Sequence, residues 1–130
     1  MAEPAPFVVI VDDEEPIRKA LKRLMRAANL EAEAFASGAA FLDSLATRRP
    51  DCLILDLHMP GMTALHVLRR LQRSGVHVPT IVITGYDEPE TRAHCLGAGA
   101  TAYLRKPLED RVLLDAVASA AKAGKNGREP

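Results

Sequence analysis

The chain has no surplus charge: 17 lysines and arginines balance 17 aspartates and glutamates. No overall field therefore steers it toward nucleic acid or an anionic membrane, and direct nucleic-acid binding is not expected of it. It has only two cysteines, Cys52 and Cys95, too few for a disulfide framework or a zinc knuckle. Its histidines, His58, His66, His77 and His94, lack the short spacings of a metal site. The cysteines read instead as a small buried hydrophobe at 52 and a helix residue at 95. No apolar run approaches the ~18 residues of a membrane span, and no basic start followed by a long apolar stretch marks a signal segment. The expected setting is a reducing cytoplasm. Gly-rich phosphate loops are missing too, with neither G-x-G-x-x-G nor a P-loop. What remains is a 130-residue chain, 48% apolar and 26% charged, with room for one domain around a real core.

That core is announced by short runs rich in β-branched residues. Phe7 to Val11 is continuously apolar, as a strand buried on both faces would be. Ile17, Ala20, Leu21, Leu24, Met25 and Ala28 then follow helical spacing. Glu31 to Phe35 alternates like an edge strand, and Ser37-Gly38 opens a helix with Phe41, Leu42 and Leu45 facing inward. A second apolar strand, Cys52 to Leu55, ends at Asp56, and a helix carrying Ala64, Leu68 and Leu71 follows. Val78 to Ile83 reads as the fourth strand, ending at Thr84-Gly85. Asp87 is placed to cap a weakly amphipathic helix that has Pro89 in its first turn and ends near Gly97 or Gly99. Thr101 to Leu104 is the fifth strand, and the last helix spans about Leu108 to Ala121.

Five β-α repeats imply an α/β fold, a doubly wound, flavodoxin-like (βα)5 parallel sheet of five strands in the order 2-1-3-4-5. The expected divisions are a flexible lead-in over residues 1–6, one domain over 7–121 and a disordered tail over 122–130.

In such sheets ligands bind beyond the carboxyl ends of the strands. Asp12 and Asp13 follow the first strand, Asp56 ends the third, Thr84 ends the fourth and Lys106 follows the fifth. One fold thus gathers three carboxylates, a hydroxyl and an ammonium in one crevice. Each residue alone has a duller reading: a helix N-terminus for the paired acids, turn residues for Asp56 and Thr84, a solvated lysine at 106. Together they make chemistry. Crowded carboxylates repel one another, and a hard divalent cation such as Mg²⁺ relieves that repulsion. The same cation admits a phosphoryl group to the Asp56 carboxylate, which acts as nucleophile to give an acyl phosphate. Lys106 adds positive charge, and the Thr84 hydroxyl can donate to a phosphoryl oxygen.

At Val11-Asp12-Asp13-Glu14, Leu55-Asp56-Leu57-His58-Met59-Pro60-Gly61, Thr84-Gly85, Gly97-Ala98-Gly99-Ala100 and Tyr103-Leu104-Arg105-Lys106-Pro107, the chain resembles the receiver domains of bacterial two-component response regulators, from about Phe7 to Ala121. The resemblance implies that Asp56 is phosphorylated by a sensor histidine kinase or a histidine phosphotransfer protein. It implies that Asp13, Asp56 and the backbone carbonyl of His58 bind Mg²⁺, with Asp12 acting through water. Lys106 would contact the phosphoryl group ahead of a cis Lys106–Pro107 bond. Thr84 would swing toward that group while Tyr103 turns inward. The output face would be the fourth helix, fifth strand and fifth helix, which could also form a homodimer. Such a domain phosphorylates and dephosphorylates itself and turns over no separate substrate. Ala64 replaces a glycine usual in the loop after Met62, and His58 flanks the entrance.

Two other classes fit less well. A nucleotide or flavin carrier needs a phosphate cradle where this chain has Asp-Asp-Glu-Glu, and an aspartyl phosphatase usually places a second aspartate where His58 stands. A receiver-like module that docks partners without phosphorylation remains as the alternative. No helix-turn-helix pattern follows the last helix within these residues, so the chain reads either as a stand-alone receiver or as part of a longer regulator.

Overall fold

The computed structural model describes residues 5–128. The elements alternate without exception: β1 (Phe7–Val11), α1 (Glu15–Ala27), β2 (Glu31–Phe35), α2 (Gly38–Ser44), β3 (Cys52–Asp56), α3 (Ala64–Ser74), β4 (Thr80–Thr84), α4 (Pro89–Gly97), β5 (Ala102–Arg105) and α5 (Asp110–Arg128). All strand pairs are parallel and the order is β2-β1-β3-β4-β5, as the sequence implied.

The apolar strands explain the layering. Alternate side chains of a strand point to opposite faces, so a continuous apolar run builds two cores at once. Val9, Val11, Leu53, Leu55 and Val82 face one way and pack with Phe41, Val67, Leu68, Leu71 and Cys95 from α2, α3 and α4. Val8, Ile10, Cys52, Ile54, Ile81 and Ile83 face the other way, against Leu21 and Met25 of α1 and Leu113, Val117 and Ala120 of α5. The polar alternation of β2 follows from its place at the sheet edge, where Ala32 is buried between exposed Glu31 and Glu33.

Local signals set the ends of the helices. Ser37 and Thr63 accept hydrogen bonds from the amides of Ala40 (3.1 Å) and His66 (3.3 Å), which caps α2 and α3. The chain leaves α1 through Asn29 at φ 63° and α3 through Gly75 at φ 72°, left-handed conformations that these two residue types tolerate.

Several boundaries differ from the sequence reading, β5 among them, at Ala102–Arg105 where Thr101–Leu104 was expected. β4 begins at Thr80, not Val78, because Pro79 has no N–H to give a ladder, although its carbonyl still accepts from Leu53 at 2.9 Å. The residue before α4 is Glu88 and not Asp87, and its side chain makes no capping bond. Helix α5 spans Asp110–Arg128, where the sequence reading ran from about Leu108 to Ala121 and placed 122–130 in a disordered tail; no proline intervenes before Pro130. Residues 129–130 of that tail and 1–4 of the lead-in lie outside the described residues. Pro6 is tied to the sheet edge, its carbonyl accepting from the Glu31 amide at 3.0 Å.

Candidate functional site

The parallel register brings the carboxyl ends of β1, β3, β4 and β5 to one rim. Val11 sits beside Leu55, Asp56 beside Ile83, and Thr84 beside Arg105. The loops leaving these ends are laced together: the Asp12 amide donates to Phe35 (3.2 Å), Leu57 to Ile83 (2.8 Å) and Lys106 to Thr84 (2.7 Å). Five of the residues expected to meet, Asp12, Asp13, Asp56, Thr84 and Lys106, therefore stand on this rim.

Asp12, Asp13 and Asp56 each offer a carboxylate oxygen within 4.8 Å of the others. Asp12 and Asp56 are buried, at 0% and 5% exposure, whereas Asp13 is exposed. Lys106 Nζ lies 3.4 Å from Asp12 Oδ2 and 3.4 Å from Asp56 Oδ1, bridging the two buried acids. Burial first, and Asp12 second, push the Asp56 carboxyl up to about 6 from 3.8, against the opposing pull of Lys106. Burial alone would lower the Lys106 ammonium, but Asp56 and Asp12 outweigh it and hold the pKa above the ordinary lysine value. One cation is too little for three acids. The donor set is all oxygen, closely spaced and partly open to solvent, which fits a hard divalent ion.

Thr84 is fully buried, and its hydroxyl donates to the Tyr86 carbonyl (2.9 Å) while accepting from the Tyr86 amide (3.0 Å). It is engaged with its own loop. Tyr103 is already packed inward at 7% exposure, its hydroxyl buried without a hydrogen-bond partner among the described residues, and the Arg92 guanidinium stands 5.8 Å from its ring centre. His58 lies in the β3–α3 loop with its side chain exposed, and its carbonyl accepts no hydrogen bond among the described residues. The Lys106–Pro107 bond is cis.

Arg18 escaped the sequence reading. Its Nη1 donates to the Asp12 carbonyl at 2.8 Å. The available signal was spacing: a long donor one turn into α1 can reach back over the loop that precedes the helix.

A (βα)5 sheet with an acid triad and a lysine on its carboxyl rim defines a class, and residues 8–118 match the family described as the response regulator receiver domain. The chain belongs to that family. It is 35% identical over 123 residues to Nodulation protein W of Bradyrhizobium diazoefficiens, an alignment covering 95% of this chain and 54% of that one. Among solved structures, a response regulator receiver protein from Burkholderia phymatum is 43% identical, with TM-score 0.80 over 90% of this chain and 95% of that one. The structure of FixJ-N is 34% identical, with TM-score 0.85 over 94% of this chain and 96% of that one. The chain spans about half the length of the curated relatives it matches, 54% for the first of them. It is thus a receiver domain of a two-component system, a signalling unit that implies a kinase or phosphotransfer partner. Among the described residues no helix is long and apolar enough to cross a membrane.

Proposed function

We propose that Asp56 is the phosphoryl acceptor, taking its group from a phosphohistidine of a sensor histidine kinase or a histidine phosphotransfer protein. An Asp56 carboxylate oxygen attacks phosphorus, the phosphorus–nitrogen bond breaks, and the leaving imidazole keeps the electron pair and takes up a proton. The observation that carries this is the convergence of three carboxylates and Lys106 at the rim, with Asp56 held at about 6 by burial and its acidic neighbours. A site this acidic repels a phosphoryl donor unless its charge is offset. Asp13, Asp56 and the His58 carbonyl would hold Mg²⁺, with Asp12 contributing through water. When bound, Mg²⁺ supplies charge neutralisation at the transferring oxygens.

Lys106 orients and neutralises the phosphoryl group, because its ammonium already points at Asp56 Oδ1. Thr84 can contribute only by releasing Tyr86, so its hydroxyl is the moving part on the phosphoryl side. Tyr103 is the reporter on the other side, where its orphaned hydroxyl leaves the buried position poorly satisfied. Phosphorylation adds about −1.5 to −2 charges and three acceptor oxygens, enough to bias a two-state loop and helix. Helix α4 suits that motion: among its residues only Cys95 is buried.

The unit carrying this activity is residues 7–121. Its output face is α4, β5 and α5, where Leu96 (42%) and Val112 (47%) are exposed apolar residues available to a second copy. The domain works in the cytoplasm, turns over no separate substrate and makes no direct contact with nucleic acid.

Intact-mass measurement after incubation with acetyl phosphate tests the reading. One added phosphoryl group in Mg²⁺, none after chelation and none in Asp56→Asn are expected. No adduct on the parent protein favours the phosphorylation-independent docking module.

A further inference from the structure

Asp12 is held at every polar atom it owns. Its amide donates to Phe35 O at 3.2 Å, its Oδ1 accepts from the Glu14 amide at 2.9 Å, and its Oδ2 faces Lys106 Nζ at 3.4 Å. Its carbonyl accepts from Arg18 Nη1 at 2.8 Å, and this is the contact that comes from helix α1. Asp13, the next residue, is exposed and makes no hydrogen bond among the described residues. No side-chain bond fixes its rotamer, so where its carboxylate can reach follows from the path of the backbone that carries it.

Besides the Glu14 amide's bond to Asp12 Oδ1, the joint between that backbone and α1 has little to hold it. Glu14 at the N-cap makes no side-chain capping bond, and Pro16 removes an N–H from the first turn. The half-buried Arg18 guanidinium reaches back across this joint with a short, charge-assisted bond. It does so through the carbonyl of one acid and immediately beside the next.

We propose that Arg18 is a positioning residue for the acidic site: its grip on the Asp12 carbonyl holds the Asp12–Asp13 loop in the geometry that lets Asp13 and Asp56 share a cation. The inference rests on the reading of these acids as a Mg²⁺ site. It has a diagnostic sign. A guanidinium near a cation site repels the metal, so if charge were its whole contribution, removing it would tighten Mg²⁺ binding. If positioning dominates, removal weakens binding instead.

The test compares the parent chain with Arg18→Ala and Arg18→Lys in two measurements. Alanine is the best helix former, so the first variant does not weaken α1 itself. Calorimetry is expected to show Mg²⁺ binding about fivefold weaker in Arg18→Ala, the loss of one charge-assisted hydrogen bond, with partial recovery in Arg18→Lys. Amide exchange without metal is expected to be faster at Glu14 in Arg18→Ala, while β1 and β3 amides keep their protection. Mg²⁺ binding as tight as or tighter than the parent's overturns the inference, and so does Glu14 exchange at the parent's rate. A parent chain that binds no Mg²⁺ refutes the metal reading; the Glu14 amide still decides whether Arg18 holds the loop.

Discussion

The Asp56 carboxylate is 5% exposed, and its ionised form is opposed by burial, then by Asp12, and relieved in part by Lys106. Asparagine at this position removes the charge and keeps the shape. In the unfolded chain the group titrates near 3.8, and in the folded metal-free chain near 6. Below both values the carboxyl is neutral in either state and contributes no difference. As pH rises through that interval the folded protein is forced to hold a charge it disfavours, so stability falls. At about 1.4 kcal/mol for each pH unit of separation, the loss above pH 6 comes to about 3 kcal/mol, and water reaching the rim lowers this to about 2 kcal/mol. Asp56→Asn escapes the loss. Urea unfolding in chelator should therefore find the variant more stable than the parent by about 2 kcal/mol near neutral pH, with the difference gone below about pH 3. Added Mg²⁺ should narrow the gap by stabilising the parent. A variant less stable than the parent at neutral pH, or a difference that ignores pH, refutes the electrostatic reasoning.

Other expectations concern the frame around the site. A Cβ on Gly38 would meet Val67 Cγ2 at 2.6 Å and Met62 Sδ at 3.3 Å, so Gly38→Ala should cost about 1–3 kcal/mol in urea unfolding; an unchanged midpoint contradicts that packing. Thr84→Val removes both bonds to Tyr86 and should speed amide exchange at Tyr86 while lowering stability by about 1–2 kcal/mol. Burial pushes the Cys52 thiol up to about 12, so alkylating reagents should leave it unmodified until the protein unfolds; rapid labelling of native protein would place it elsewhere.

Much of this architecture is written in residue order. Apolar runs such as Val8 to Val11 and Cys52 to Leu55 can be satisfied only between two helical layers, and the acids follow them directly, so position in the chain fixes position on the rim. Contacts made by long side chains were less visible. Spacing places Arg18 one turn into α1 but places Lys19 there almost equally, since reach and direction depend on where the loop carbonyl turns. The cap of α4 was misplaced because Asp87 and Glu88 are both plausible acids before Pro89, and neither side chain bonds the helix end. The low exposure of Tyr103 was less legible, because a strand tyrosine reads equally as half-buried packing and as a switch; its ring joins one of the two core clusters. The reach of α5 past Ala121 was not legible because Gly124, Asn126 and Gly127 are weak helix formers.

Whether an anion can settle at Asp56 only when a divalent cation shares the pocket is open to direct observation by fluorine NMR of the protein with beryllofluoride. Resonances of bound fluorine should be present in Mg²⁺, vanish on chelation and be missing from Asp56→Asn. Bound resonances that survive chelation, or that form on the asparagine variant, contradict the account.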